Sequence, residues 1–370
     1  MNITINRAEL LDTARRMASV APAASPLDTL RGVLLETDAG TGKLTLTATN
    51  MELSLEEKLP CSAAEDDSLA VPAQLLADML EKLPGDTVEI TRRSGQSVVS
   101  LKSGNACFAV PVWSRASFPK PELPFPEDTV KVGGVPDMAK RTVFAVSTDN
   151  DKPLMRCVNL MFTPQGLRLA GSDGNCIVTA RGDEQSVGNV SLLVPASSLE
   201  KLARISGEKD EFRVGTTGKS IVFLKDNFLF SARIMEGDYI NTNQLAASIQ
   251  NSFTVLTDIP DLKRALASVL SVGDEGRVSL TFDGPRLTFY CEGIHASATT
   301  PVEVIPMTGA PRGEYWYSAK RLMACLRAQS GTVTLGVAQG GMLTLGTQDA
   351  FYLQNAMRPP AEKAGAAKAA

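Results

Sequence analysis

Apolar residues recur along this chain with two periods, one helical and one of alternating type, and the order of the two repeats. In NRAELLDTARRMASV (6–20), Leu10, Leu11, Ala14, Met17 and Ala18 fall on one helical face. DIPDLKRALASVLSV (258–272) does the same through Leu262, Ala265, Leu266, Val269 and Leu270. The spacing predicts further helices over 72–83 (Leu75, Leu76, Met79, Leu80, Leu83), over 135–147, over 195–206 (Leu199, Leu202, Ala203) and over 318–330. Between them lie alternating runs broken by turn formers. LRLAGSDGNCIVTA (167–180) is one: a strand, a tight break at Gly171-Ser172-Asp173-Gly174-Asn175, and a second strand.

The unit is one helix, several strands, a second helix and several more strands, and it recurs roughly every 120 residues, the spacing of a repeat architecture. Its middle strands are LRGVLLETDAGTGKLTLTATNMELSLEEKLP, MRCVNLMFTPQGLRLAGSDGNCIVTARG and GRVSLTFDGPRLTFYCEGIHASATTPVE. The expected fold class is α+β, three repeated domains with two helices packed on sheets in each. FPKPELPFPED (118–128) and NTNQLAASIQNS (241–252) read as linkers. The expected domains are therefore 1–127, 128–250 and 251–358, followed by a mobile tail at 359–370.

Composition narrows the chemistry. With 44% apolar and 21% charged residues the chain is globular rather than disordered. The start, Met1-Asn2-Ile3-Thr4-Ile5-Asn6, lacks an apolar leader, and no run of about 18 apolar residues occurs, so a cytoplasmic protein is expected. Six cysteines without a Cys-x-x-Cys pair read as reduced thiols, and neither a metal nor a cofactor is expected. A single histidine, His295, in the alternating run IHASATT, removes Ser-His-Asp hydrolysis and multi-histidine metal sites. DAGTGKLTLT (38–47) has Thr37 where a phosphate loop needs its first glycine and leads into a strand, so it reads as a hairpin. Ser318 and Lys320 in SAKRL are one residue too close for a Ser-x-x-Lys nucleophile. No enzyme is expected. Ser172 and Asp173 stay open as a nucleophile, a phosphate holder or a plain turn.

The net charge of −4 argues against a generic nucleic-acid binder, but its distribution does not. The six predicted helices together carry +5 and the rest of the chain −9. If the helices shared one surface, it would be a weak positive track, which suits sliding on duplex DNA better than fixed binding.

In this order, several segments resemble the bacterial DNA polymerase III beta subunit family. They are TATNMELSL (47–55), FPKPEL (118–123), Lys152-Pro153, Ser172-Asp173-Gly174-Asn175 (similar to Thr-Asp-Gly-His), LVPASSLEKL (193–202), ARIMEGDY (232–239) and Tyr352 through Met357-Arg358. The resemblance covers residues 1–358. It implies three DNA-clamp domains per chain and a head-to-tail homodimeric ring, with the helices lining a hole for double-stranded DNA. The DNA-facing cations would be Arg15, Arg16, Lys82, Lys140, Arg141, Lys201, Arg204, Lys263, Arg264, Lys320 and Arg321. It also implies a cleft for short linear motifs of the polymerase III catalytic subunit and the clamp loader. Carried over by position, that cleft is Met155, Ser172, Gly174, Asn175, Cys176, Ile177, Ile240, Leu245, Asn355, Ala356, Met357 and Arg358. Here the chain departs from the family: Asn175-Cys176-Ile177 replaces a His-Arg-Leu-like run, and Asn355-Ala356 a Met-Pro-like pair. Two alternatives stand beside the main clamp: a specialised second clamp carried on a mobile element, and a scaffold that gathers proteins without DNA.

Overall fold

The computed structural model describes residues 1–360 apart from 94, 124, 183–188 and 274–275. Pro124 of the first linker and residues 361–370 of the expected tail therefore lie outside the described residues. Among the described residues the α-helices are α1 (Arg7–Val20), α2 (Ala73–Lys82), α3 (Val135–Thr142), α4 (Ala196–Ile205), α5 (Thr242–Ser248), α6 (Ile259–Val269) and α7 (Ala319–Ala328). Six coincide with the predicted helices. The seventh, α5, falls in the stretch read as a linker, where Asn241 Oδ1 accepts the Gln244 N–H (3.0 Å) and caps a short helix. The helix predicted over 135–147 stops at Thr142 and tightens into a 3₁₀ turn over Val143–Ala145. Thr142 Oγ1 donates back to Met138 O (2.9 Å), a side-chain bond that competes with helix continuation.

The strands form four antiparallel sheets, divided between two compact units. The first unit comprises residues 1–133 and 201–234. Its nine-stranded sheet runs from Trp113–Ser114 through Gly32–Asp38, Lys43–Thr49 and Leu53–Pro60 to Phe228–Arg233, and on to Val130–Gly133. Its five-stranded sheet starts at Ser62–Ala63, contains Asn2–Asn6, and ends at Ala106–Pro111. The second unit comprises residues 134–200 and 235–370. There a nine-stranded sheet places Gly166–Ser172, Cys176–Arg181 and Ala350–Gln354 side by side, and a four-stranded sheet runs from Ser297–Glu303 to Arg312–Ser318. The middle repeat is thus shared between the units. Its later strands extend the first repeat's sheet, with Phe230 opposite Leu55, and its earlier strands extend the third's, with Val178 opposite Tyr352.

The amphipathic faces go where the periodicity puts them. In the first unit α1 packs against α2, burying Leu10, Leu11, Ala14, Met17 and Val20. In the second, α6 packs against α7 over a core that contains Phe253, Phe282, Phe289, Tyr317 and Tyr352. The Phe253 and Phe282 rings meet edge-on at 4.9 Å.

An ion pair with a buried carboxylate ties α1 to its sheet. Arg16, at the edge of the α1 apolar face, holds Glu57 with two short bonds, Nε to Oε1 and Nη2 to Oε2, both 2.6 Å. Thr13 Oγ1 also donates to Glu57 Oε2 (3.2 Å). Glu57 is 5% exposed, and its bonds raise the Arg16 pKa further. Removing the cation alone would strand a buried carboxylate. Arg16→Met is therefore expected to destabilise the protein by about 3–5 kcal/mol in chemical denaturation, with part of the loss recovered on adding Glu57→Gln.

Candidate functional site

The break at 172–175 is a closed hydrogen-bonding unit. Gly174 adopts φ +87°, a conformation glycine takes without strain. Ser172 Oγ, with no exposed surface, donates to Cys176 O (2.8 Å) and accepts the Gly174 N–H (3.1 Å). Asp173 Oδ1 accepts the N–H groups of Asn175 (2.8 Å) and Cys176 (2.9 Å). Its Oδ2 accepts Nε (2.7 Å) and Nη2 (2.6 Å) of Arg321, at the start of α7. Burial alone would raise the Asp173 pKa; the two backbone N–H groups and the guanidinium outweigh it and hold the carboxyl below its usual range. The Ser172 proton is committed to a carbonyl and the Asp173 oxygens to four donors, so the pair is a turn lock. It is neither a nucleophile with its base nor a phosphate cradle.

The turn lies against the C-terminal segment. Asn355 N–H donates to Asn175 O (2.9 Å), and Met357 N–H donates to Trp316 O (2.6 Å). Gln354 Nε2, just before, donates to Ser318 O (3.4 Å). On the other side of the turn, a Cβ at Gly174 would stand 3.9 Å from Met155 Cε. Gly237, at φ +145°, allows its segment to close on Leu154, and Tyr239 OH donates to Cys157 O (3.3 Å). Burial pushes the Tyr239 hydroxyl to about 12, so it stays a neutral donor.

The twelve cleft positions therefore divide. Gly174, Asn175, Leu245, Asn355, Ala356 and Arg358 are exposed, while Met155, Ile240 and Met357 are half-buried. Ser172, Cys176 and Ile177 are buried and form the support beneath the surface. Cys176 Sγ lies 3.8 Å from Ala145 O, and burial raises its thiol to about 12, leaving it protonated and inert. Beside Ala356 and Met357 a cavity of about 320 Å³ opens, lined also by Tyr315, Trp316, Gly341 and Pro359. Tyr315 and Trp316 were not among the expected residues, because the consecutive aromatics of the strand Arg312–Ser318 read equally well as core, where Trp316 and Tyr317 are buried.

The helix cations have acidic partners of two kinds, those one helical turn away and those distant in sequence. Arg15 meets Glu81 (2.9 Å), Arg141 meets Asp137 (2.8 Å) and Arg264 meets Asp261 (2.5 Å). Arg16 is held by Glu57, Lys201 Nζ donates to Ser19 O, and Arg321 is held by Asp173. Lys140 and Arg204 are exposed and also have interactions. Lys82, Lys263 and Lys320 are exposed and unpaired among the described residues. At least five of the eleven cations are thus carboxylate-paired. Glu81, Asp137 and Asp261 are already counted in the helices' total of +5, so the compensation that the fold adds comes from Glu57 and Asp173.

Known proteins share this design. The family model for the DNA polymerase III beta subunit, N-terminal domain, matches residues 1–124, and that for its central domain matches residues 129–241. A beta sliding clamp of Synechococcus elongatus is 24% identical over 320 residues, which cover 82% of this chain and 85% of that protein. One from Halalkalibacterium halodurans is 25% identical over 289 residues, covering 72% and 74%. In structure, a sliding clamp of Pseudomonas aeruginosa crystallised with griselimycin matches 97% of this chain and 100% of its own at TM-score 0.87 and 20% identity. That likeness shows the fold, and the family matches supply the function. The chain belongs to the DNA polymerase III beta subunit family, as a divergent member of the non-catalytic sliding clamps that make DNA replication processive.

Proposed function

We propose that two copies of this chain close head-to-tail into a ring around duplex DNA in the cytoplasm. In this reading the chain is three clamp domains (1–127, 128–250, 251–358) whose helices α1–α4, α6 and α7 face the phosphates. The observation that carries the ring is a pair of open sheet edges. Ala106–Pro111 ends the five-stranded sheet with no charged side chain, and Ser297–Glu303 ends the four-stranded one. Unpaired edges of this length invite a partner strand, and a head-to-tail joint uses one of each. Ile294, just before the second edge, is 93% exposed, as expected of a side chain that a partner covers.

A ring holds DNA by topology, so its inner surface needs only to be compatible with phosphate. The carboxylate pairing of the arginines fits such a loose hold, with Lys82, Lys263 and Lys320 as the uncompensated contacts. The groove formed by Met155, the 172–176 turn and Asn355–Arg358 is the cleft for short linear motifs of the polymerase III catalytic subunit and the clamp loader. Methionine side chains adapt to more than one such motif.

Negative-stain micrographs at low micromolar concentration test the assembly: rings support it, and isolated crescents favour a scaffold without DNA. Replacing Lys82, Lys263 and Lys320 together with Glu is expected to reduce retention on circular duplex DNA while the dimer persists in sedimentation. Each lost phosphate contact should take about 0.9 from the log–log salt slope. In the cleft, Met357→Ala or Met155→Ala is expected to weaken binding of a polymerase-tail peptide, measured by fluorescence anisotropy, by about 1–3 kcal/mol.

A further inference from the structure

Arg321 belongs by sequence to the helix cations, yet its guanidinium is turned onto Asp173 in the 172–175 turn, with Nε and Nη2 both on Oδ2 (2.7 and 2.6 Å). The pair is partly sequestered, with side chains 34% and 14% exposed. Asp173 spends its other oxygen on the backbone N–H groups of Asn175 and Cys176. A single carboxylate therefore joins α7 to the loop whose exposed tip is Gly174-Asn175. Two more bonds complete a triangle: Asn355 N–H to Asn175 O, and Gln354 Nε2 to Ser318 O, the residue that caps α7. The turn, the C-terminal segment and the first turn of α7 are braced pairwise.

We propose that Arg321 is a positioning residue for the partner-peptide cleft, fixing the Gly174-Asn175 wall through Asp173, and that it takes no part in holding DNA. The inference rests on the cleft reading above. Lysine carries the charge but offers one ammonium in place of a planar fork, so it can make one of the two bonds and hold the turn less firmly. The Asp173 carboxyl already lies below its usual range, so the brace persists through neutral pH and is lost only on strong acidification.

The test uses the full-length protein and a labelled peptide from the C-terminus of the cell's replicative polymerase. Arg321→Met is expected to weaken the peptide about tenfold, as loss of a charge-assisted double contact should, and Arg321→Lys to recover part of it. In a ¹⁵N spectrum, Arg321→Met should shift or broaden the Asn175 and Cys176 amides, while the Met357→Ala variant leaves them in place. If wild type binds, Met357→Ala weakens binding and Arg321→Met binds as wild type, the proposal is overturned and the cleft reading survives. If wild type does not bind the peptide, both fall. If Arg321→Met lowers DNA retention with peptide affinity unchanged, Arg321 belongs to the DNA track and the proposal is overturned.

Discussion

The pairing of Cys176–Arg181 with Ala350–Gln354 joins strands from the middle and the last repeat, and the candidate cleft hangs on it. Register along this ladder sets Cys176 opposite Gln354. The residues just outside it, Asn175 and Asn355, then meet through the Asn355 N–H to Asn175 O bond. A slip of one residue would exchange faces along the strand, turning Tyr352 out of the core and its neighbours Phe351 and Leu353 to the opposite face. Tyr352 is 1% exposed in the core of the second unit, so that slip is strongly disfavoured. The position of a surface loop is therefore fixed by hydrophobic burial three residues before Asn355.

The turn leading into this strand, with the residue on either side of it, carries the groups that a chemist would first examine for reactivity, and the structure shows each occupied. Ser172 donates to a carbonyl, Asp173 is saturated by four donors, and the Cys176 thiol is kept protonated by burial. Hydrogen-bond saturation rigidifies a turn and removes nucleophilicity from it together. This agrees with a non-catalytic clamp, whose loop must keep its shape.

Electrostatic compensation on the helices has a related logic. Exposed pairs such as Arg15–Glu81 and Arg264–Asp261 contribute little to stability, about 0–1 kcal/mol each. They still lower the positive field that the helix surfaces present. Arg16–Glu57 is different, because the carboxylate is buried and the pair fastens α1 to Leu53–Pro60. Charges counted as one class along the chain thus separate into exposed surface charges, a brace and a fastener.

What the sequence determined by itself was local and periodic. The apolar stripes of α1, α6 and α7, the strands on either side of the 172–175 turn and the three-fold order of elements follow from spacings of a few residues, which pairing elsewhere does not alter. The resemblance of scattered segments named the family. Helix α5 was missed because its capping Asn241 lies in a polar stretch that reads equally well as linker. The tertiary structure alone decided how the middle repeat divides between two sheets, which expected cleft positions are surface and which are support, and which distant acids Arg15, Arg16 and Arg321 meet. Arg16 and Arg321 are helix cations like their neighbours in sequence, yet one fastens a helix and the other braces a loop. The carboxylates that hold them lie 41 and 148 residues away, and no periodicity reaches that far.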